Sequence, residues 1–330
     1  MKIGKVSQTI LKRSVLKPLQ FKRAESLIQP SAEEMCFGIS CKDEEDILMA
    51  EAVLYGDEKD LGMFALAQVM NDLATRGAQM VGASVRIMLP PYAYESRIKN
   101  MMEYMECACS AHSIQIICAK AEINPAINKA IVHLTGLGKI KKGTLIQSSN
   151  GRPEQDIVLL KWIGLEGTFR VLREKEEELS KRFIPTFLKR IKQLEEQLFS
   201  VDAILLAKEH GASAMQQITS GGILATLWEM AEASKVGLTV DLKKMAIRQE
   251  TVEICEFCRL NPYQLTSAGS VLIFTDQGEE LVDKYKEMGI QATLLGRTTD
   301  DNARVIMGGE EKRFLDKPAA DELLKIYENN

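Results

Sequence analysis

The chain has 330 residues, 45% apolar and 27% charged, which excludes a disordered chain and is enough for two cores of ordinary domain size. Its 42 Lys and Arg are interspersed among 46 Asp and Glu for a formal net charge of −4, so no basic excess points to nucleic acid. No apolar run reaches the roughly 20 residues of a membrane span, and the opening lacks a signal-peptide core; a cytoplasmic protein without membrane attachment is expected.

In chain order, "DILMAEAVLY" (46–55) predicts a strand and "GMFALAQVMNDLATRGA" (62–78) a helix ended by Gly77. "ASVRIMLP" (83–90) predicts a strand stopped by Pro90-Pro91, and "YESRIKNMMEYMECACSAH" (94–112) an amphipathic helix. "SIQIICAKAEI" and "KAIVHLTGLGKI" predict two further strands. The order β-α-β-α-β-β fits one mixed sheet with helices on one face. The polar, turn-rich stretch 140–156 places a domain boundary there, giving domains 1–150 and 151–330. The second half opens with strand "DIVLLKWIG" and a charged helical stretch, about 168–199, interrupted near Pro185. Helix "VDAILLAKEHG", strand "SAMQQIT", helix "GGILATLWEMAEASK", strand "LTVDL" and a helix bearing "CEFC" follow. Strand "SVLIFTD", helix "EELVDKYKEMG", strand "QATLLGRT" and a short end complete a second, larger α/β domain.

The seven cysteines (36, 41, 107, 109, 118, 255 and 258) are odd in number, which argues against a disulfide framework. Cys255 and Cys258 have metal or redox spacing, but no second such pair exists, and a plain helix face is expected. Cys107 and Cys109 point to different faces of their helix as packing residues. The histidines at 112, 133 and 210 form no zinc or triad pattern.

Asn71 and Asp72 stand inside an otherwise apolar helix. By spacing, Asp72 faces Arg76 one turn on, a local pair worth a few tenths of a kcal/mol; a buried carboxylate with another task would hold a metal. In "TSGGILATLWEMAEAS", Thr219 and Ser220 sit where an N-cap hydroxyl belongs, and two glycines open the helix. Such an end can receive an anion, or can serve close packing. "WIGLEGTFRVL" carries a glycine-bracketed Glu166 from strand to helix, a tight turn or a substrate contact. Glu122 closes a strand as a solvated or a site carboxylate.

Together, "NDLATRGAQMVGASVRIMLPP", "GLEGT", "AMQQITSGGILATLWEMAEAS" and "NPYQLTSAGSVLI" resemble the aminoimidazole ribonucleotide (AIR) synthase-related superfamily, in particular its hydrogenase expression/formation (maturation) branch. The opening "MKIGKVSQTILKRSVL" is similar to archaeal-style members of that branch. The resemblance implies a two-domain α/β (α+β) fold whose first domain dimerises, two sheets closing into a barrel, with ATP in a cleft at the interface. It implies ATP-dependent activation of a carbonyl- or amide-type oxygen, with magnesium held by carboxylates. On it, Asn71 and Asp72 fall on the metal–ATP Asn-Asp, and Glu122 on an acid following a phosphate-side turn. Glu166, Gly167 and Thr168 fall on the turn opening the second domain, and Thr219, Gly221 and Gly222 on a Thr-x-Gly-Gly turn facing the nucleotide. Asp72 and Glu122 are the implied metal ligands, and Lys120 substitutes for a cation at the phosphate.

The pattern also departs from the family. The glycine-rich acidic loop before the first strand reads "CFGISCKDEEDILMAEA", and the Gly-Gly-x-Thr turn reads Cys118-Ala119-Lys120-Ala121. The acid before the Thr-x-Gly-Gly turn is Gln217. The branch ends in a cysteine-bearing tail, whereas this chain ends "LLKIYENN", so the cyanide-ligand-forming reaction is not expected. Two readings stand: an ATP-dependent ligase- or dehydratase-like enzyme on a small substrate, and a degenerate, non-hydrolysing dimer that binds a ligand or regulates. Cys41 and Cys118 edge the altered cleft as candidates for a soft metal.

Overall fold

The structure, a computed structural model, describes residues 4–5, 8–25, 44–57 and 59–328. Cys36, Cys41 and Asp43 lie outside the described residues. The chain forms two compact units, Met1–Ala74 with Ala78–Leu145, and Thr75–Gly77 with Ile146–Asn330.

The first unit contains β1 (Gly4–Lys5), α1 (Gln8–Ile10) running into a π-helical turn (Leu11–Leu16), β2 (Glu45–Gly56) and α2 (Leu61–Thr75). β3 (Gln79–Leu89), α3 (Glu95–Ala111), β4 (Gln115–Ile123) and β5 (Ala130–Lys141) follow. The predicted β-α-β-α-β-β order is therefore present, with β3 starting four residues earlier than its apolar pattern suggested. The sheet order is β1-β4-β3-β5-β2; β3 and β4 are parallel and the other pairs antiparallel. The sheet is mixed and does not close into a barrel within one protomer. α2 is apolar nearly all round and buried nearly all round, the expected fate of such a helix. Its Val69 lies over Gly136 of β5, and its Gly62 lies against Met105 of α3. The Ala78 N–H reaches Leu73 O at 3.0 Å, a six-to-one bond that closes α2 around Gly77.

One sheet face thus lies under α2. Leu134 shares that face with Gly136, and the register carries it across to Val85 and Ala119. The other face shows Lys120, Arg86, His133 and Val53 in one row and Glu122, Met88, Ile131 and Tyr55 in the next. On edge strand β2, Met49 is 69% and Val53 54% exposed, with Ile47 beside them.

The second unit contains β6 (Asp156–Leu160), α4 (Leu165–Glu174), α5 (Glu176–Arg182), α6 (Pro185–Lys192), α7 (Val201–Glu209) and β7 (Ala212–Gln217). Next come α8 (Gly222–Ser234), β8 (Gly237–Asp241), α9 (Gln249–Cys258), β9 (Val271–Thr275), α10 (Gly278–Glu287) and β10 (Ala292–Thr299). The expected short end in fact holds β11 (Arg304–Gly308), β12 (Glu311–Phe314) and α11 (Leu324–Glu328). Its strands are short, and β12 is largely charged, so the apolar pattern did not reveal them. The charged stretch is three helices, with Pro185 opening α6, where its missing N–H costs nothing. The seven strands are ordered β12-β11-β8-β10-β6-β9-β7, and only β8 and β11 pair in parallel. Ile157, Leu159, Leu227, Met230, Leu272 and Phe274 are among the core residues packed between this sheet and α8. Among the described residues, no helix is long and apolar enough to cross a membrane.

Candidate functional site

In the first unit Asn71 is fully buried and Asp72 half-buried on α2. Arg76, which belongs to the second unit, donates Nη1 to Met215 O at 2.7 Å and Nη2 to Ser148 Oγ at 3.2 Å. Lys120 and Glu122 are half-buried on β4, on the sheet face opposite α2. The chain therefore does not aim Asp72 and Glu122 at a common point. Glu122 accepts from Asn124 Nδ2 at 3.1 Å and stands 3.7 Å from Arg86 Nη1. In the next row, His133 Nε2 meets Glu51 at 3.1 Å.

In the second unit the turn carrying Glu166, Gly167 and Thr168 opens α4. Glu166 is 1% exposed. Its Oε2 accepts from the Thr266 hydroxyl at 2.6 Å and the Ala268 N–H at 3.4 Å; its Oε1 stands 3.6 Å from Arg170. The Gly167 N–H donates to Thr266 O at 3.0 Å. Thr168 Oγ1 donates to Gly164 O at 2.7 Å and lies 2.9 Å from Thr251 Oγ1. The Gly164 N–H is taken by Ser267 Oγ. Glu166 and Gly167 thus fasten α4 to the 265–269 loop, and Thr168 ties it to Thr251 of α9. Gln217, standing where an acid was expected, joins the end of β7 to the same loop: its Oε1 accepts the Gly269 N–H at 3.0 Å.

The Thr219–Gly222 turn opens α8, but not through a side-chain cap. The N-cap is Gly221, and the Thr219 carbonyl, not its hydroxyl, accepts the Gly222 N–H at 2.9 Å. Gly221 and Gly222 have φ of +85° and +65°, a region other side chains rarely enter. A Cβ on Gly222 would stand 2.5 Å from Tyr263 O. The Gly221 N–H donates to Asp321 Oδ2 at 2.7 Å.

Reasoning from the sequence missed Asp321, Thr266, Ser267 and Lys161. Thr266 and Ser267 lie within "NPYQLTSAGSVLI", which pointed to their loop, but nothing local marks Asp321. Lys161 follows β6, is buried, and donates Nζ to Gln197 O at 2.5 Å and Phe199 O at 3.0 Å. Burial lowers its ammonium to about 8. Of the cysteines, Cys107 is exposed, Cys118 and Cys258 half-buried, and Cys109 and Cys255 buried; Cys107 therefore does not serve packing as expected.

Residues 44–140 match the N-terminal domain, and residues 152–308 the C-terminal domain, of AIR synthase related proteins. The chain belongs to the AIR synthase related family. A Methanocaldococcus jannaschii protein named for hydrogenase expression and formation is 23% identical, over 98% of this chain and 97% of its own length. Carbamoyl dehydratase HypE of Rhodobacter capsulatus is 22% identical over 81% of this chain and 79% of its own. The crystal structure of hydrogenase maturation protein HypE in complex with ATP superposes with a TM-score of 0.75 at 16% identity, covering 98% of this chain and 97% of that one.

The described residues of this AIR synthase related chain do not by themselves assemble a site for a magnesium–triphosphate group. Among the described residues, no three His, Cys, Asp or Glu side chains group closely enough to hold an ion. Glu122 and Glu166 each face an arginine, and the Gly221 N–H already serves a carboxylate.

Proposed function

We propose that this chain is a HypE-like hydrogenase maturation factor that binds ATP and uses it to activate a carbonyl- or amide-type oxygen of a small substrate. The observation that carries the reading is the α8 N-terminus. There two consecutive glycines adopt left-handed backbone at the family's Thr-x-Gly-Gly position, leaving a turn without side chains at the positive end of a helix dipole, which favours an anion. The retained Asn71-Asp72 pair on α2 and the ATP complex of a HypE of the same fold support it. Calorimetry with Mg-ATP tests it, with Asp72→Asn as control. Micromolar binding that the variant loses supports the reading, and no heat at millimolar nucleotide overturns it.

A second reading, binding without hydrolysis, draws on Glu166 facing Arg170 and Glu122 facing Arg86. Guanidinium groups there offset charge that a metal would otherwise offset. Phosphate release from bound ATP at a rate above the buffer control would sink it.

We also infer a homodimer through the open face of the first sheet. Ile47, Met49 and Val53 expose apolar surface on an edge strand, and such surface is ordinarily covered.

A further inference from the structure

The C-terminal end of α9 borders a cavity of about 330 Å³ within the second unit. Lys175 walls it from the link between α4 and α5, Glu178 from α5, and Lys325 and Ile326 from α11. α11 lies beyond the 152–308 region that matches the family's domain, so the wall it adds is not part of the shared domain. Phe257 is 40% exposed and makes an edge contact with Phe183, their ring centroids 5.9 Å apart. With Ile326 it gives the cavity an apolar side.

The opposite character comes from three cations set against one carboxylate. Glu178 answers Lys175 at 3.2 Å, and Glu322 answers Lys325 at 2.7 Å. The third cation, Arg259, has no ion-pair partner among the described residues. Nor is its guanidinium needed to cap α9. The Arg259 N–H reaches Glu256 O at 3.2 Å and the Leu260 N–H reaches Cys255 O at 2.8 Å, so backbone donors already close that helix.

We propose that this cavity binds a small organic anion, its carboxylate on Arg259 and its apolar body against Phe257 and Ile326. A guanidinium offers a carboxylate two parallel donors. A concave site of this size, with an apolar wall and a few convergent polar groups, has the usual form of a small-molecule site. The inference does not depend on the ATP reading, since no residue lining the cavity belongs to the proposed nucleotide site. Cys258 lines the same cavity and marks it. Burial raises its thiol, Lys175 pulls it down and Glu178 adds to the rise. The thiol thus stays protonated near neutrality, a slow reporter of what fills the cavity.

The test uses the full chain and two probes of one shape, phenylacetate and its neutral counterpart phenylacetamide. Each is titrated against the rate at which iodoacetamide labels Cys258, read by peptide mapping, with the exposed Cys107 as internal control. Phenylacetate protects Cys258 in about the millimolar range, at about tenfold lower concentration than phenylacetamide, and leaves Cys107 unaffected. Arg259→Gln, checked for folding by circular dichroism, brings the two probes together, and Arg259→Lys, which keeps the charge, retains the preference. Equal protection by the two probes in the parent chain, or none at any soluble concentration, overturns the anion site. A preference for phenylacetate that survives Arg259→Gln overturns the assignment of the carboxylate to Arg259.

Discussion

Glu166 Oε2 accepts the Thr266 hydroxyl at 2.6 Å across 100 residues of sequence, and the same carboxylate faces Arg170 one turn along α4. A buried carboxylate so placed is worth most as a partner whose removal leaves other groups unsatisfied. Glu166→Ala therefore lowers the unfolding free energy by about 3 kcal/mol, because Arg170 loses its counter-charge in a buried setting. Thr266→Val costs about 1 kcal/mol. Urea denaturation of both variants and of the double variant checks this; additive losses would separate two residues that the geometry couples.

Gly222 combines a φ of +65° with a Cβ position 2.5 Å from Tyr263 O. Gly222→Ala adds backbone strain to a clash with a backbone atom that cannot rotate away. A loss on the order of 2 kcal/mol or more is expected, read as a fall in midpoint without a change in slope. A variant as stable as the parent would show that the turn relaxes freely.

Lys161 sets a pH dependence. Its folded value is about 8, below the ordinary 10.5 of a lysine, because burial disfavours the ammonium. Between those values the unfolded chain binds the proton that the folded chain releases, so stability rises with pH. The penalty is complete below about pH 8 and relieved towards 10.5, on the order of 3 kcal/mol in total. Lys161→Met flattens this rise when unfolding free energies are compared from pH 7.5 to 10. An identical slope in parent and variant would place the effect elsewhere.

The open face of the first sheet predicts its own disruption. Met49→Glu with Val53→Glu places a charge on either side of the outward Glu51 of β2 while leaving the α2-facing side untouched. Light scattering after gel filtration should read the parent as a dimer and the double variant as a monomer with unchanged circular dichroism. A double variant that still dimerises removes this face as the interface.

Thiol chemistry follows burial. Burial pushes the Cys255 thiol up to about 12, with Cys258 and Glu322 adding to the rise, while Cys107 is exposed. Peptide mapping after brief alkylation of the native protein should find Cys107 modified and Cys109 and Cys255 intact. Rapid labelling of Cys255 would mean that α9 opens locally.

Periodicity alone located α2, α3, α8 and α9 and the strands β2 to β10, because apolar spacing tracks whichever face a segment buries. It was silent on β1, β11 and β12: β1 has 2 residues, β11 only 5, and β12 is largely charged. The candidate residues were legible as positions but not as roles. Glu166 reads as a ligand in "GLEGT" until Thr266 and Arg170 are seen to take its oxygens. Lys120 and Asp72 read as neighbours in one site until the register puts Lys120 on the sheet face opposite α2.

The sequence by itself determined two α/β domains, their family, and the glycine turn that opens α8. Each of these rests on patterns within a few dozen residues, where local propensity and burial speak directly. Only the tertiary structure decided which donors and acceptors are still free. The Gly221 N–H and the Asp321 carboxylate lie 100 residues apart. A hydrogen bond depends on where two atoms meet in space, and linear spacing carries no record of that.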